Sequence, residues 1–172
     1  KKRLLFSEKR KKLADNKKKK KAKKRNSKGI SLSEAESNNL LQQYQAGRYG
    51  DAEKLAQSLT ERFPKHQFAW KVLGVVLKQT GRIGESLAPM QKSVQLAPQD
   101  ATAHYNLGIT LQELGRLDES EASCRQSIVL KSDFAEAHYN LGNTLKELGR
   151  LDEAEASFRQ AIALKPDFAE VF

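Results

Sequence analysis

The sequence predicts an all-α protein, a solenoid of antiparallel helix pairs preceded by a basic segment. Three observations predict it: a stretch of 34 residues recurs along most of the chain, apolar residues within it recur at helical spacing, and glycine or proline stands at regular places between the apolar runs. A lone helix pair cannot bury its apolar stripe. Successive pairs are therefore expected to stack into one continuous core.

The basic segment, residues 1–30, differs in composition from the rest of the chain. It holds 16 Lys or Arg and two acids, whereas residues 31–172 hold 15 Lys or Arg and 19 acids, so the net charges are +14 and −4. A self-repelling segment of this kind buries too little apolar surface to fold, so we expect disorder. A solvated linker is the favoured role. The alternatives are weak contact with an anionic lipid or nucleic-acid surface and a nuclear-import signal.

Four repeat units follow the basic segment. Residues 101–134 and 135–168 agree at 26 of 34 positions without a gap, and residues 67–100 align with them at the same period. Residues 31–66 form a divergent first unit, and residues 169–172 repeat the opening of a further one. Because a solenoid normally closes with a polar capping helix, this open end predicts a fragment of a longer protein, with an apolar C-terminal stripe that favours self-association.

Each unit is predicted to fold as two helices, as the last complete unit shows. Apolar residues from Ala137 to Leu148 recur at helical spacing, and Gly149 is expected to end this helix in a left-handed conformation. Asp152 is expected to cap the second helix, which Pro166 stops because proline lacks an amide hydrogen. Further breaks are expected near Gly47, Pro64, Gly81, Pro98, Gly115 and Ser132.

Some residues set individual units apart. Pro89 falls within the second helix of its unit, so that helix is either kinked, which we favour, or starts late with Pro89 in its first turn. The first unit carries Leu40, Leu41 and Tyr44 one place off the other units. Small residues at two matching places are expected to let paired helices approach closely, in the pairs Gly74 with Ser86, Gly108 with Ser120, and Gly142 with Ala154.

This pattern resembles the tetratricopeptide repeat, in its 34-residue period and in the residues Trp70, Leu73, Gly74, Gly81, Ser86 and Pro98. The later units, such as AHYNLGNTLKELGRLDEAEASFRQAIALKPDF, match that repeat more closely. The resemblance covers about residues 33–172. It implies a right-handed superhelix whose first helices line a concave groove that binds extended segments of other proteins.

The resemblance also implies which side chains the groove presents. Asn106 and Asn140 occupy equivalent places in adjacent units, so we expect them to form a short ladder that contacts a peptide backbone. This ladder is similar to one in the repeat arm of O-linked N-acetylglucosamine transferases. The alternative is that both are polar residues tolerated on a solvated face. The predicted binding residues are Lys71, Tyr105, Asn106, Tyr139, Asn140, Asn143 and Lys146, with Val75, Lys78, Ile109 and Gln112 on the same face.

No residue pattern indicates catalysis or metal binding. His104 and His138 lie one repeat apart, on helices expected to pack about 8–10 Å apart, whereas zinc needs nitrogen atoms at about 2 Å. Cys124 takes the place of Phe158 in the next unit, which indicates a small buried apolar residue. We therefore predict no enzyme activity, no metal and no cofactor for this chain.

The function predicted from the sequence is a protein-interaction scaffold, with other proteins or peptides as partners. The alternative is the substrate-recruiting arm of a larger enzyme, with a glycosyltransferase domain of the O-linked N-acetylglucosamine type, a sulfotransferase domain or an oxygenase domain beyond residue 172. No apolar run reaches the roughly 18 residues of a membrane span, and no aromatic residue after Phe6 interleaves the lysines to stack on bases. We thus predict no transmembrane segment, no specific nucleic-acid binding and, with a single cysteine, a cytoplasmic location.

Overall fold

A computed structural model describes residues 32–167 of the chain. Within that range it contains eight α-helices and no β-strand. The predicted all-α fold and the predicted breaks between helices are confirmed there. The basic segment and the start of a further unit lie outside the described residues. The helices form four pairs: α1 (Glu34–Gln45) with α2 (Tyr49–Arg62), α3 (Gln67–Gln79) with α4 (Ile83–Leu96), α5 (Ala101–Glu113) with α6 (Leu117–Leu130), and α7 (Ala135–Glu147) with α8 (Leu151–Leu164).

The helices pack as a stack, and the core runs along it. Each helix packs chiefly against the helices before and after it in sequence, and each first helix also contacts the first helix of the next pair. One core cluster joins Met90 of α4 to Leu107 and Leu111 of α5. Another joins Cys124 of α6 to residues of α7 and α8, including Leu145. Stacking of pairs therefore buries apolar stripes that one pair would leave exposed.

The turn inside each pair is fixed by a glycine with positive φ. Gly149 has φ of 77°, its amide donates to the Lys146 carbonyl at 3.0 Å, and the Arg150 amide donates to the Leu145 carbonyl at 2.9 Å. These are the two hydrogen bonds of the Schellman motif. The predicted end of the helix at Gly149 is confirmed, and the same arrangement recurs at Gly47, Gly81 and Gly115.

Gly115→Ala is expected to lower the free energy of unfolding by about 1 kcal/mol, because a side chain in the left-handed region costs about that much. Gly84→Ala is the control, since Gly84 lies in α4 with ordinary helical φ and no atom within 4 Å of an added Cβ. That variant should be slightly more stable than the parent. Urea unfolding followed by circular dichroism measures both, and equal effects would contradict the role of positive φ.

One prediction about the second helices is wrong, and one alternative is excluded. The helix α8 begins at Leu151, with Arg150 as N-cap and no side-chain capping bond, so Asp152 lies in the first turn and does not cap the helix. The reason is that the Schellman turn leads directly into α8. Asp152 and Glu153 therefore lie in the first turn of α8, near the positive end of its dipole. Pro89 is buried inside α4, which begins at Ile83, so the alternative of a helix that starts late, with Pro89 in its first turn, is excluded. A kink at Pro89 stays a prediction.

The middle glycine of α3, α5 and α7 makes room for a side chain of the paired helix. A Cβ added to Gly142 would lie 2.5 Å from Cε1 of Phe158. The small residues predicted to face these glycines are buried, but the nearest side chain belongs to the residue four positions further along. A Cβ added to Gly74 would likewise lie 2.8 Å from Met90 Sδ, and one added to Gly108 would lie 2.8 Å from Cys124 Sγ.

In the first pair of helices, the large and the small residue at this close contact have exchanged helices. Leu40 on α1 and Ala56 on α2 are both fully buried, and they occupy the places of Gly142 and Phe158 when counted at the 34-residue period. The large side chain is therefore on the first helix and the small one on the second. This exchange gives a physical reason for the divergent pattern of the first unit, where Leu41 is 38% exposed.

Candidate peptide-binding groove

The predicted binding residues lie on α3, α5 and α7, the first helices of three successive pairs. Six of the seven are half-buried, and Lys146 is exposed. Contacts of α3 with α5 and of α5 with α7 make their shared surface continuous. We call this surface the groove face. Its use in peptide binding stays a prediction.

Tyr105 lies at the centre of the groove face, beside Asn140 of the next pair. Burial raises the pKa of Tyr105 above its ordinary value, although the nearby Asn140 side chain acts in the opposite direction. The Tyr105 ring also packs on Phe134, with ring centroids 4.9 Å apart. The sequence pattern did not indicate that Asn140 and Tyr105, which belong to different units, lie side by side.

Polar side chains also link one first helix to the next along the groove face. The Lys71 ammonium lies 2.8 Å from Asp100, and the Lys78 ammonium lies 3.4 Å from Glu113. One unit further on, Gln112 donates to a carboxylate oxygen of Glu147 at 2.6 Å. The two lysines therefore carry acidic partners and do not present isolated positive charges to a ligand. Among residues 32–167, Lys146 has no acidic partner.

Asp100 is a residue that the sequence analysis missed. Its carboxylate caps α5, accepting from the amides of Thr102 at 2.9 Å and Ala103 at 3.2 Å. It also accepts from Gln67 and Lys71, each at 2.8 Å. Burial acts to raise the pKa of Asp100, but Lys71 and the donated hydrogen bonds hold it below its ordinary value. An aspartate directly before a helical apolar pattern is the signal that could have found it.

His104 and His138, which the sequence analysis considered too far apart to bind zinc, each hydrogen-bond to a loop carbonyl. His138 Nε2 lies 3.0 Å from the Ser132 carbonyl and His104 Nε2 lies 3.0 Å from the Pro98 carbonyl, so each ring donates a hydrogen bond there. Trp70 makes the equivalent bond to the Pro64 carbonyl at 3.0 Å. Residues 32–167 contain no group of three or more His, Cys, Asp or Glu that could hold a metal ion.

The buried cysteine has no sign of reactivity. Cys124 is fully buried, as predicted, and lies against Gly108. Burial raises the pKa of its thiol to about 11, with a smaller opposing effect from the hydrogen bond to Ser120. The neutral thiol therefore prevails at neutral pH, where a nucleophile would need the thiolate.

Comparison with known families agrees with this geometry. Three sequence profiles described as tetratricopeptide repeat match residues 41–101, 90–122 and 135–168. The chain carries tetratricopeptide repeats. Among residues 32–167 of this tetratricopeptide array, no helix is both long and apolar enough to cross a membrane. The cytoplasmic location stays a prediction, and a comparison with curated protein sequences found no match.

Solved structures of tetratricopeptide proteins share the fold. A crystal structure of MamA is similar with a TM-score of 0.71 and 21% identity, over 81% of this chain and 78% of that one. MamA from Desulfovibrio magneticus RS-1, from position 41 to its end, gives 0.70 and 20%, over 77% and 75%. YrrB, described as a TPR protein with an unusual peptide-binding site, gives 0.68 and 23%, over 73% and 64%.

At these identities the likeness shows the fold alone. It supports the superhelix of paired helices and the general class of protein-interaction fold. The similarity to the repeat arm of O-linked N-acetylglucosamine transferases stays a prediction from the sequence, and so does the alternative of an enzyme's substrate-recruiting arm.

Proposed function

We propose that the chain is a protein-interaction module whose groove face binds an extended segment of another protein. The observation that carries this proposal is the row of half-buried amide side chains on α5 and α7: Asn106, Asn140 and Asn143. An amide group offers two donors and an acceptor, which match the backbone groups of an extended peptide. The description of YrrB as a peptide-binding protein of the same fold supports the proposal.

Several side chains of the groove face already have partners within the chain. The Tyr105 ring packs on Phe134 and lies beside Asn140, so the Tyr105 side chain loses little freedom on binding. Lys71 and Lys78 already have acidic partners. Recognition therefore rests on hydrogen bonds to the peptide backbone more than on net charge, and the affinity should depend only weakly on salt.

The proposal is tested with a linear peptide selected from a random displayed library on the full chain. Replacing Asn106 and Asn140 together by alanine is expected to raise Kd about 30-fold, because two contacts of about 1 kcal/mol each are lost. Gln91→Ala with Gln126→Ala is the control, since both amides are exposed on second helices. Fluorescence anisotropy measures Kd, and circular dichroism checks that helicity is unchanged.

A third variant separates the ladder from the packing around it. Tyr105→Phe keeps the ring on Phe134 and removes only the hydroxyl beside Asn140, so it should weaken binding less than the double alanine variant. An unchanged Kd for the double variant, or an equal rise in Kd for the control, would show that the asparagines are solvated polar residues that do not contact the peptide.

A further inference from the structure

The helix α8 carries apolar side chains on a face that α7 leaves partly exposed. Leu151 on this face is 64% exposed, whereas Leu117, at the same place of α6, is half-buried. Helical residues are spaced by about 100° around the axis, so Leu151, Glu155 and Ile162 lie within about 40° of one another. Arg159 flanks them on the side of Glu155. We call these four residues of α8 the end face.

Elsewhere in the array, the glutamate equivalent to Glu155 is covered by the next pair of helices. Glu53 of α2 lies 2.8 Å from Arg82, and Glu121 of α6 lies 2.6 Å from Arg150, so each bonds to an arginine of the following pair. The Glu121 side chain is 15% exposed, and that of Glu155 is 62% exposed. Among residues 32–167, Glu155 forms an ion pair only within its own helix. The end face is thus the kind of surface on which inner pairs stack.

The opposite end of the array does not complement this surface. Asn39 and Gln43 of α1 stand where α5 carries Leu107 and Leu111, which pack against the preceding pair. Gln43 donates to the Asn39 side-chain oxygen at 3.2 Å and accepts from Arg48 at 2.6 Å. The outer face of α1 is therefore polar and internally hydrogen-bonded, which disfavours head-to-tail stacking of copies on the apolar end face.

The charges of the end face are self-complementary for two copies of α8. Glu155 and Arg159 are four residues apart on one flank of the helix, and their side chains are 62% and 75% exposed. In an antiparallel pair of helices, a twofold axis level with residue 157 brings Glu155 of each copy level with Arg159 of the other, on the same side. Leu151 then lies within one residue of the level of Ile162 in the other copy. The ion pair inside each copy can therefore be exchanged for two between copies.

We infer that the end face is a self-association site, at which a second copy of this chain docks through its own α8, antiparallel and related by a twofold axis. The pairing buries Leu151 and Ile162 of both copies, as the next pair of helices covers Leu117 and Ile128 on α6. It uses α8 and none of the first helices that form the groove face. The proposal is therefore independent of the peptide proposed to bind there.

The first test measures the oligomeric state of the full chain by sedimentation equilibrium, from low to high micromolar concentration. A reversible monomer–dimer equilibrium is expected, with Kd in the micromolar range because one helix on each side makes a small interface. A monomer throughout this range would overturn the proposal and leave the end face to a partner of another kind. Assemblies that grow beyond the dimer would also overturn it, because they require head-to-tail stacking.

The second test asks whether apolar contact at the end face drives the dimer. Leu151→Gln should raise the dimer Kd several-fold, because the leucine side chain is buried between the copies. Val129→Gln is the matched control, since Val129 is an exposed apolar residue of α6 outside the end face, and its Kd should equal that of the parent chain. Equal effects of the two substitutions would overturn the proposal.

The third test exchanges the charges of the end face. Glu155→Arg alone and Arg159→Glu alone place like charges level with one another, so each should raise the dimer Kd about 10-fold. An equal mixture of these two variants should associate again, because one copy then presents two arginines to two glutamates. Glu61→Arg, at an exposed position of α2, is the control and should leave Kd unchanged. A parent-like Kd for either single variant, or a mixture that does not associate, would overturn the proposal.

Discussion

Gly142→Leu is expected to lower the free energy of unfolding by about 3 kcal/mol. A Cβ alone would lie 2.5 Å from the Phe158 ring, and a whole leucine side chain has to displace that ring or separate α7 from α8. Overpacking a close helix contact costs about 1–3 kcal/mol and sometimes more. Thermal and urea unfolding followed by circular dichroism measure the loss.

The first pair of helices indicates how this loss can be repaired. Leu40 and Ala56 are fully buried at the places of Gly142 and Phe158, so Gly142→Leu with Phe158→Ala would reproduce an arrangement that the fold already contains. Phe158→Ala alone is expected to cost about 2 kcal/mol, less than a fully buried phenylalanine because Phe158 is half-buried. The double variant should be more stable than the sum of the single losses predicts, by about 2 kcal/mol. Strictly additive losses would show that a large side chain at position 142 cannot replace the one at position 158.

The sequence allowed the helix pairs to be predicted because their signals are local. Gly115 and Gly149 need positive φ at the turn, and this requirement recurs with the period whatever the glycines contact. The exchange of Leu40 with Ala56 could not be predicted in the same way, because it depends on which side chains meet across two helices. The Asp152 cap was wrong for a related reason. Aspartate favours the N-cap position, but the Schellman turn leads straight into Leu151, so the N-cap is Arg150 and Asp152 lies inside the helix.

The groove residues could be placed on one face, but their contacts could not be foreseen. Equivalent positions on successive first helices must share a surface in a stacked array, so Asn106 and Asn140 fall together. Asn140 lies beside Tyr105 of the preceding unit, and neither residue alone predicts this proximity. The pairing of Lys71 with Asp100 lies within one 34-residue unit, but it spans 29 positions and joins α3 to the start of α5. Repeat periodicity predicts which residues are equivalent, whereas hydrogen bonding between units depends on the particular side chains.

Asp100→Ala is expected to lower the free energy of unfolding by about 2–3 kcal/mol. The loss combines the cap of α5, about 1 kcal/mol, with the charge-assisted bonds from Lys71 and Gln67. Without Asp100 the half-buried Lys71 loses its acceptor, whereas Gln67 keeps only its bond to Ser93. Asp133→Ala is the matched control, because Asp133 is exposed just before α7, and Phe134, the N-cap there, makes no side-chain bond. The control should change stability by less than about 0.5 kcal/mol. Similar losses in both variants would show that the contacts of Asp100 contribute little.

The stabilising effect of Asp100 should also depend on pH in a defined direction. Its folded-state pKa lies below the ordinary value of 3.8, because the bonds and charge of Lys71 outweigh the opposing effect of burial. A carboxylate of this kind contributes stability that is fully present well above pH 3.8 and is lost as pH falls through the folded-state pKa. Asp100→Asn keeps the shape and one carbonyl acceptor but has no charge to lose. The difference in Tm between the parent chain and this variant should therefore be constant from pH 7 to about pH 5 and shrink between about pH 4 and pH 2. A Tm difference that persists unchanged at pH 2 would mean that the Asp100 charge does not stabilise the array, and that its contribution comes from hydrogen-bond geometry alone.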